Sequence, residues 1–194
     1  MPNFGTLMLL LVLSTSFSFA QSEKSEPFEE LSVFFGGELN TNREDLHRYW
    51  SAKFTPTITA KTPFYKGTVL LKISFTPFRR QTTNVDFNLI YYSFLWEFPF
   101  LNIKGLTFSG GLHFGSAAFQ FVNPQPPFQK EVAESEIAAG PSFALYWQYS
   151  GNTFFRFYLQ NTTIFSHKRI GLTYIGVSSG YRFSTPKWIR KILE

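Results

Sequence analysis

Residues 53–61 read KFTPTITAK, setting Phe54, Pro56, Ile58 and Ala60 strictly against Lys53, Thr55, Thr57, Thr59 and Lys61. Apolar residues two apart share one face of a strand, whereas those of an amphipathic helix recur at three and four. The stretch, extended to about Ser51 to Thr62, is therefore a β-strand with one apolar and one polar face.

The same period recurs on either side of it. Upstream, Leu31, Val33, Phe35 and Leu39 oppose Ser32, Glu38 and Asn40. Downstream, Val69, Leu71, Ile73 and Phe75 oppose Thr68, Lys72, Ser74 and Thr76, and then Ile90, Tyr92, Phe94, Trp96 and Phe98 oppose Asn88, Ser93 and Glu97. Leu89, Tyr91 and Leu95 break that fourth pattern. Leu106, Phe108, Leu112 and Phe114 face away from Thr107, Ser109, Gly111, His113 and Gly115. Ile137, Ala139, Phe143, Leu145, Trp147 and Tyr149 stand against Gly140, Ser142 and Gln148. Phe155, Phe157 and Leu159 oppose Arg156, Gln160 and Thr162, and Ile175, Val177, Tyr181 and Phe183 oppose Gly176, Ser178, Gly180 and Arg182. Connections vary in length along the chain: long at 41–50, tight at 64–66, medium at 79–85, short at 101–104, long and Pro-rich at 123–134, tight at 150–152, and then 166–168. Long and short loops on alternate ends predict an all-β fold, an eight-stranded antiparallel up-and-down transmembrane β-barrel.

Composition decides which face is inside. Of 194 residues only 16% are charged, while 44% are hydrophobic and 20% aromatic, 25 of them Phe. That excludes disorder and coiled coil. A soluble carrier barrel, the third reading of the pattern, would need a well-charged exterior. Here the polar faces carry mostly Thr, Ser and Gly, which suits a crowded lumen. Aromatic residues are expected to form two belts at the water interfaces. The short-turn belt comprises Trp96, Phe98, Trp147, Tyr149, Tyr181 and Phe183; the long-loop belt comprises Tyr49, Trp50, Phe78, Phe87, Phe121 and Phe165.

The N-terminus points to export. Leu7 to Leu13 (LMLLLVL) is too short to span a membrane as a helix and runs into small residues, with Ser18-Phe19-Ala20 as a cleavage site. Residues 1–20 lack Lys and Arg, so cleavage leaves the net charge at +5. The expected organisation is a signal peptide (1–20), an acidic periplasmic leader (21–30), an outer-membrane barrel (31–183) and a short periplasmic tail (184–194). In the tail, Thr185 and Pro186 suit the start of an interfacial helix, with Trp188, Ile189 and Ile192 toward lipid.

Between about Leu31 and Phe183 the chain resembles the small eight-stranded outer-membrane barrels of Gram-negative bacteria, the OmpA/OmpX type. The resemblance implies a monomer in the cell outer membrane with both termini in the periplasm. It also implies a C-terminal strand signal, Ile175, Val177, Tyr181 and Phe183, read by the barrel-assembly machinery; this chain continues past that signal to Glu194. Tyr181 and Phe183 are the assembly-signal candidates. Some barrels of this size modify lipid A acyl chains with a His, a Ser and an acid, which is the alternative reading.

The residues give that enzyme little support. None of His47, His113 and His167 has a Ser two positions away, as a dyad on one strand face needs. A dyad across strands would join His113, with Ser109 on its own strand, to Ser142 or Ser93 on a neighbouring strand. The expected function is a non-enzymatic envelope-structural or surface-interaction role with a plugged lumen. No metal, cofactor or nucleic-acid partner is expected, since Cys is absent and no ligand spacing occurs. The plug is expected to be a charge network of Glu38, Lys53, Lys61, Lys72, Glu97, His113, Arg156 and Arg182. At the long-loop rim, Arg79, Arg80, Lys168 and Arg169 are expected to contact lipopolysaccharide, joined by Arg43 and Arg48 and diluted by Glu44, Asp45, Glu131 and Glu134.

Overall fold

The computed structural model describes residues 27–41, 45–81, 85–122, 133–167 and 169–188. The expected signal peptide, residues 21–26 of the leader, Arg43, Glu44, Glu131, Lys168, and Ile189 and Ile192 of the expected tail helix lie outside the described residues.

Among the described residues nine strands follow one another, with a short helix after the first: β1 (Glu30–Asn40), α1 (Asp45–Tyr49), β2 (Trp50–Ala52), β3 (Thr55–Phe64), β4 (Gly67–Arg80), β5 (Asp86–Ile103), β6 (Leu106–Val122), β7 (Ala133–Gln148), β8 (Thr153–Ile164) and β9 (Ile170–Ser184). Each pairs antiparallel with its neighbours, and β1 closes the ring against β9 from Glu30↔Ser184 to Asn40↔Tyr174. Among the described residues closure pairs both sides of every strand except the short β2, which pairs only with β4.

The ring has eight members because β2 and β3 are two pieces of one strand. Both pair with β4, through Ala52↔Phe78 and Thr57↔Ser74, so four residues on one side face three on the other. That extra residue is a β-bulge at Lys53-Phe54, and it lays the Phe54 ring over Gly37, where a Cβ would come within 2.0 Å of it. A second bulge falls between Pro99 and Leu101. Beyond it β5 continues to Ile103, so the connection expected at 101–104 shrinks to Lys104-Gly105. Both have positive φ, 45° and 86°, which makes a type I′ hairpin turn.

The exterior is apolar. Phe35, Ile58, Leu71, Leu112, Ile137, Phe143, Ile175 and Val177 are all exposed, from different strands around the ring. The short-turn belt is on that surface, with Trp96, Phe98, Trp147, Tyr149, Tyr181 and Phe183 exposed.

The long-loop belt is corrected in part: Tyr49 and Phe165 are exposed, but the other four turn inward. Phe78 and Phe87 are buried in the lumen, stacked at 4.7 Å, and Phe121 packs beside them. The cause is parity: Phe78 falls on the face of Lys72, Ser74 and Thr76, and Phe87 on that of Ser93 and Glu97. Trp50 also packs on this cluster and donates its indole N–H to the Val85 carbonyl at 2.7 Å. Leu89, Tyr91, Ala117, Phe119, Ala138, Ile164, Leu172 and Tyr174 complete an apolar layer across the long-loop end.

Candidate functional site: the polar lumen

Inward side chains below that layer form two ion-paired tiers. Toward the turn end, β5 supplies Glu97, β7 supplies Ser142 and Tyr146, and β8 supplies Arg156. The Arg156 Nη2 donates to Glu97 Oε1 at 2.6 Å, and Tyr146 OH donates to Oε2 at 2.5 Å. Ser142 Oγ donates to Oε1 at 3.3 Å, and Arg156 Nε donates to Tyr146 OH at 3.0 Å. Both charged side chains are wholly buried.

The second tier joins β1, β4 and β8. Lys72 Nζ donates to Glu38 Oε2 at 2.5 Å and to Gln160 Oε1 at 2.9 Å, while Tyr158 OH donates to the same Glu38 oxygen at 2.9 Å. Gln160 Nε2 donates to Thr162 Oγ1 at 3.3 Å, and that hydroxyl lies 3.2 Å from His113 Nε2. Tyr158 links the tiers, because the Arg156 guanidinium sits 4.3 Å from its ring centre and the Lys72 ammonium 4.8 Å.

Glycine makes the space for Tyr158: a Cβ on Gly176 would come within 2.2 Å of its ring. Gly180 does the same for Phe34.

The structure thus brings together Glu38, Lys72, Glu97, Arg156 and, at the end of the chain of bonds, His113. Lys61 points inward beside them, its ammonium 3.5 Å from the Tyr146 ring centre. Arg182 is at the turn-end mouth, donating to Glu30 Oε2 at 3.0 Å. Lys53 is not in the network. It lies in the bulge between β2 and β3 and is exposed, since the added residue takes it out of the inward register of Thr55, Thr57 and Thr59.

Sequence reading missed Tyr146, Tyr158, Phe34, Leu70 and Leu95 as lumen residues. Each falls on the inward face of its strand, and that was the available signal: Tyr146 stands four after Ser142 and two before Gln148. Their apolar character hid it.

At the long-loop rim, Arg79 is half-exposed and pairs with Asp86 at 3.7 Å, and the Arg80 backbone N–H donates to Asp86 Oδ1 at 2.7 Å. The two arginines alternate, Arg79 falling on the outer face and Arg80 on the face of Phe78. Arg169 is exposed in the turn before β9. Tyr181 and Phe183 face outward on β9. Among the described residues the hydrogen-bond partner of His113 is Thr162 and not a serine. No three His, Asp or Glu among the described residues could hold a metal.

No family model matches the chain, and no curated protein does. Solved structures do. The N-terminal β-barrel domain of Pseudomonas aeruginosa OprF is 14% identical, with TM-score 0.51 over 81% of this chain and 100% of that one. Neisserial surface protein A (NspA) is 11% identical, with TM-score 0.54 over 80% and 94%. Outer membrane protein W of E. coli is 15% identical, with TM-score 0.53 over 82% and 100%. At such identities the likeness is one of fold, and in fold this chain is an eight-stranded transmembrane β-barrel of the kind found in these small outer-membrane proteins.

Proposed function

We propose that the protein is an integral outer-membrane barrel with a non-enzymatic, envelope-structural or surface-interaction role and a lumen closed to ions. The observation that carries this is the inverted polarity of the molecule. Two carboxylates and two cations are buried inside, while phenylalanines and aliphatic side chains cover the outside. In water such a surface would drive aggregation; in lipid it is the stable arrangement.

Closure rests on the same tiers. The Glu97–Arg156 pair joins β5 to β8 and the Glu38–Lys72 pair joins β1 to β4, each bridging non-adjacent strands across part of the lumen, and the layer of Phe78, Phe87 and Leu172 fills it beyond them. Termini emerge at the short-turn end, which in this reading is periplasmic. Tyr181 and Phe183 would serve the assembly machinery, and Arg79 with Arg169 would meet lipopolysaccharide phosphates. His113 is buried in the lumen, remote from any acyl chain in the bilayer, which weighs against a lipid A enzyme.

Membrane-extracted protein should migrate differently on gels boiled and unboiled, because a closed barrel resists detergent until heated. In planar bilayers the purified protein should show no steady conductance comparable to a general porin's. Porin-like conductance would refute the closed lumen, and identical gel mobility would refute the membrane barrel.

A further inference from the structure

The two ends of the lumen differ. Side chains fill the long-loop end, but the turn end opens into a cavity of about 400 Å³ whose wall includes Phe34, Lys61, Lys66, Tyr146, Phe154 and Arg182. Its charged lining is unbalanced, three cations against the single carboxylate of Glu30. Arg182 takes that carboxylate, and its guanidinium rests 4.3 Å from the Phe154 ring centre.

Lys61 has no such partner. Among the described residues its ammonium makes no ion pair; it rests on the Tyr146 ring, while Glu97 and Glu30 attract it from beyond pairing distance. Glu97 is already occupied by Arg156, Tyr146 and Ser142. A cation held in a narrow cavity, on an aromatic face and with no carboxylate in direct contact, attracts an anion more strongly than it would in open water.

We propose that the turn-end cavity binds a water-borne oxyanion, with Lys61 as its inner ligand and Arg182 and Lys66 at the rim. An oxyanion fits because its several oxygens can accept from the ammonium and the guanidinium at once. Its source is the aqueous phase. Lys61 lies on a strand paired on both sides, through Ser32↔Lys61 and Lys61↔Leu70, so the wall has no lateral opening to lipid headgroups.

The test is calorimetric titration of inorganic phosphate into the full chain, refolded in phosphatidylcholine nanodiscs and in maltoside micelles, which carry no phosphate. Saturable binding of equal affinity is expected in both. Lys61→Met should weaken it at least tenfold, Lys61→Arg should retain it, and Lys53→Gln, the loss of an exposed cation outside the lumen, should leave it unchanged. Because Glu97 keeps Arg156, Tyr146 and Ser142 as partners, Lys61→Met should fold, as judged by its heat-dependent gel mobility. Absence of saturable binding, or equal binding by Lys61→Met, would overturn the site. Binding in micelles that disappears in nanodiscs would assign it to lipid headgroups and overturn the aqueous source.

Discussion

Glu97 and Arg156 are both fully buried, and their partners are not equivalent. A carboxyl can escape an unpaired state by taking up a proton, whereas a guanidinium stays charged. Removing Glu97 should therefore cost more than removing Arg156. Breaking a buried pair typically costs about 3–5 kcal/mol. Glu97→Met is expected at the top of that range, and Arg156→Met at the bottom, because Tyr146 and Ser142 still donate to Glu97. The double variant should be far milder than the two costs added. Urea unfolding in lipid vesicles measures all three; additive losses would mean that the two residues do not stabilise the barrel as a pair. The identities of these charged residues were legible from alternation alone. Their pairing was not, since Glu97 and Arg156 are 59 residues apart and meet only once the ring closes.

Elements in this barrel are set by short-range chemistry at their ends. Ile103 pairs with Leu106 around Lys104-Gly105, and both turn residues have positive φ. A β-branched residue there pays for the left-handed backbone, roughly 1–2 kcal/mol. Gly105→Val should lose about that much, although a Cβ at this site would meet nothing within 4 Å. Gly151, in the turn between β7 and β8, also has open space and no positive φ. Gly151→Ala should therefore stay within about 0.5 kcal/mol of the parent. Equal effects on vesicle unfolding would remove backbone conformation as the cause. The bulge at Lys53-Phe54 is the counterexample to local legibility. In sequence the KFTPTITAK run alternates without a break, so nothing in it signals that Lys53 leaves the inward face. The shift comes from the register of β2 against β4, which is set by Trp50↔Arg80, far along the partner strand.

At the scale of the whole molecule, the solvent of the exterior decides what substitutions do. Leu112 faces outward in mid-strand and is 69% exposed. An arginine on the lipid face near the bilayer midplane costs about 2–4 kcal/mol, whereas an exposed position in water tolerates it within about 0.5 kcal/mol. Leu112→Arg is expected to destabilise the refolded barrel by the larger amount in vesicles. A cost near zero would mean that this face meets water. The replacement of Arg79 by Gln tests the other boundary. It should reduce co-purifying lipopolysaccharide if the rim touches the outer leaflet, and an unchanged lipid content would leave Arg79 with only its Asp86 pair.

By itself the sequence determined the strand period, the number of strands, the apolar exterior and the polar lumen, because each depends only on which residues are two apart. It also carried the inward orientation of Phe78 and Phe87, which parity places beside Lys72 and Glu97 despite their apolar side chains. Tertiary structure decided the rest. It chose which cation meets which carboxylate, laid Tyr158 across both tiers over Gly176, and left Lys61 on an aromatic face at the floor of an open cavity. The physical reason is that alternation fixes only which face a side chain takes. The height at which two inward residues meet depends on the stagger between strands, and that is set by ring closure and by bulges that no single strand encodes.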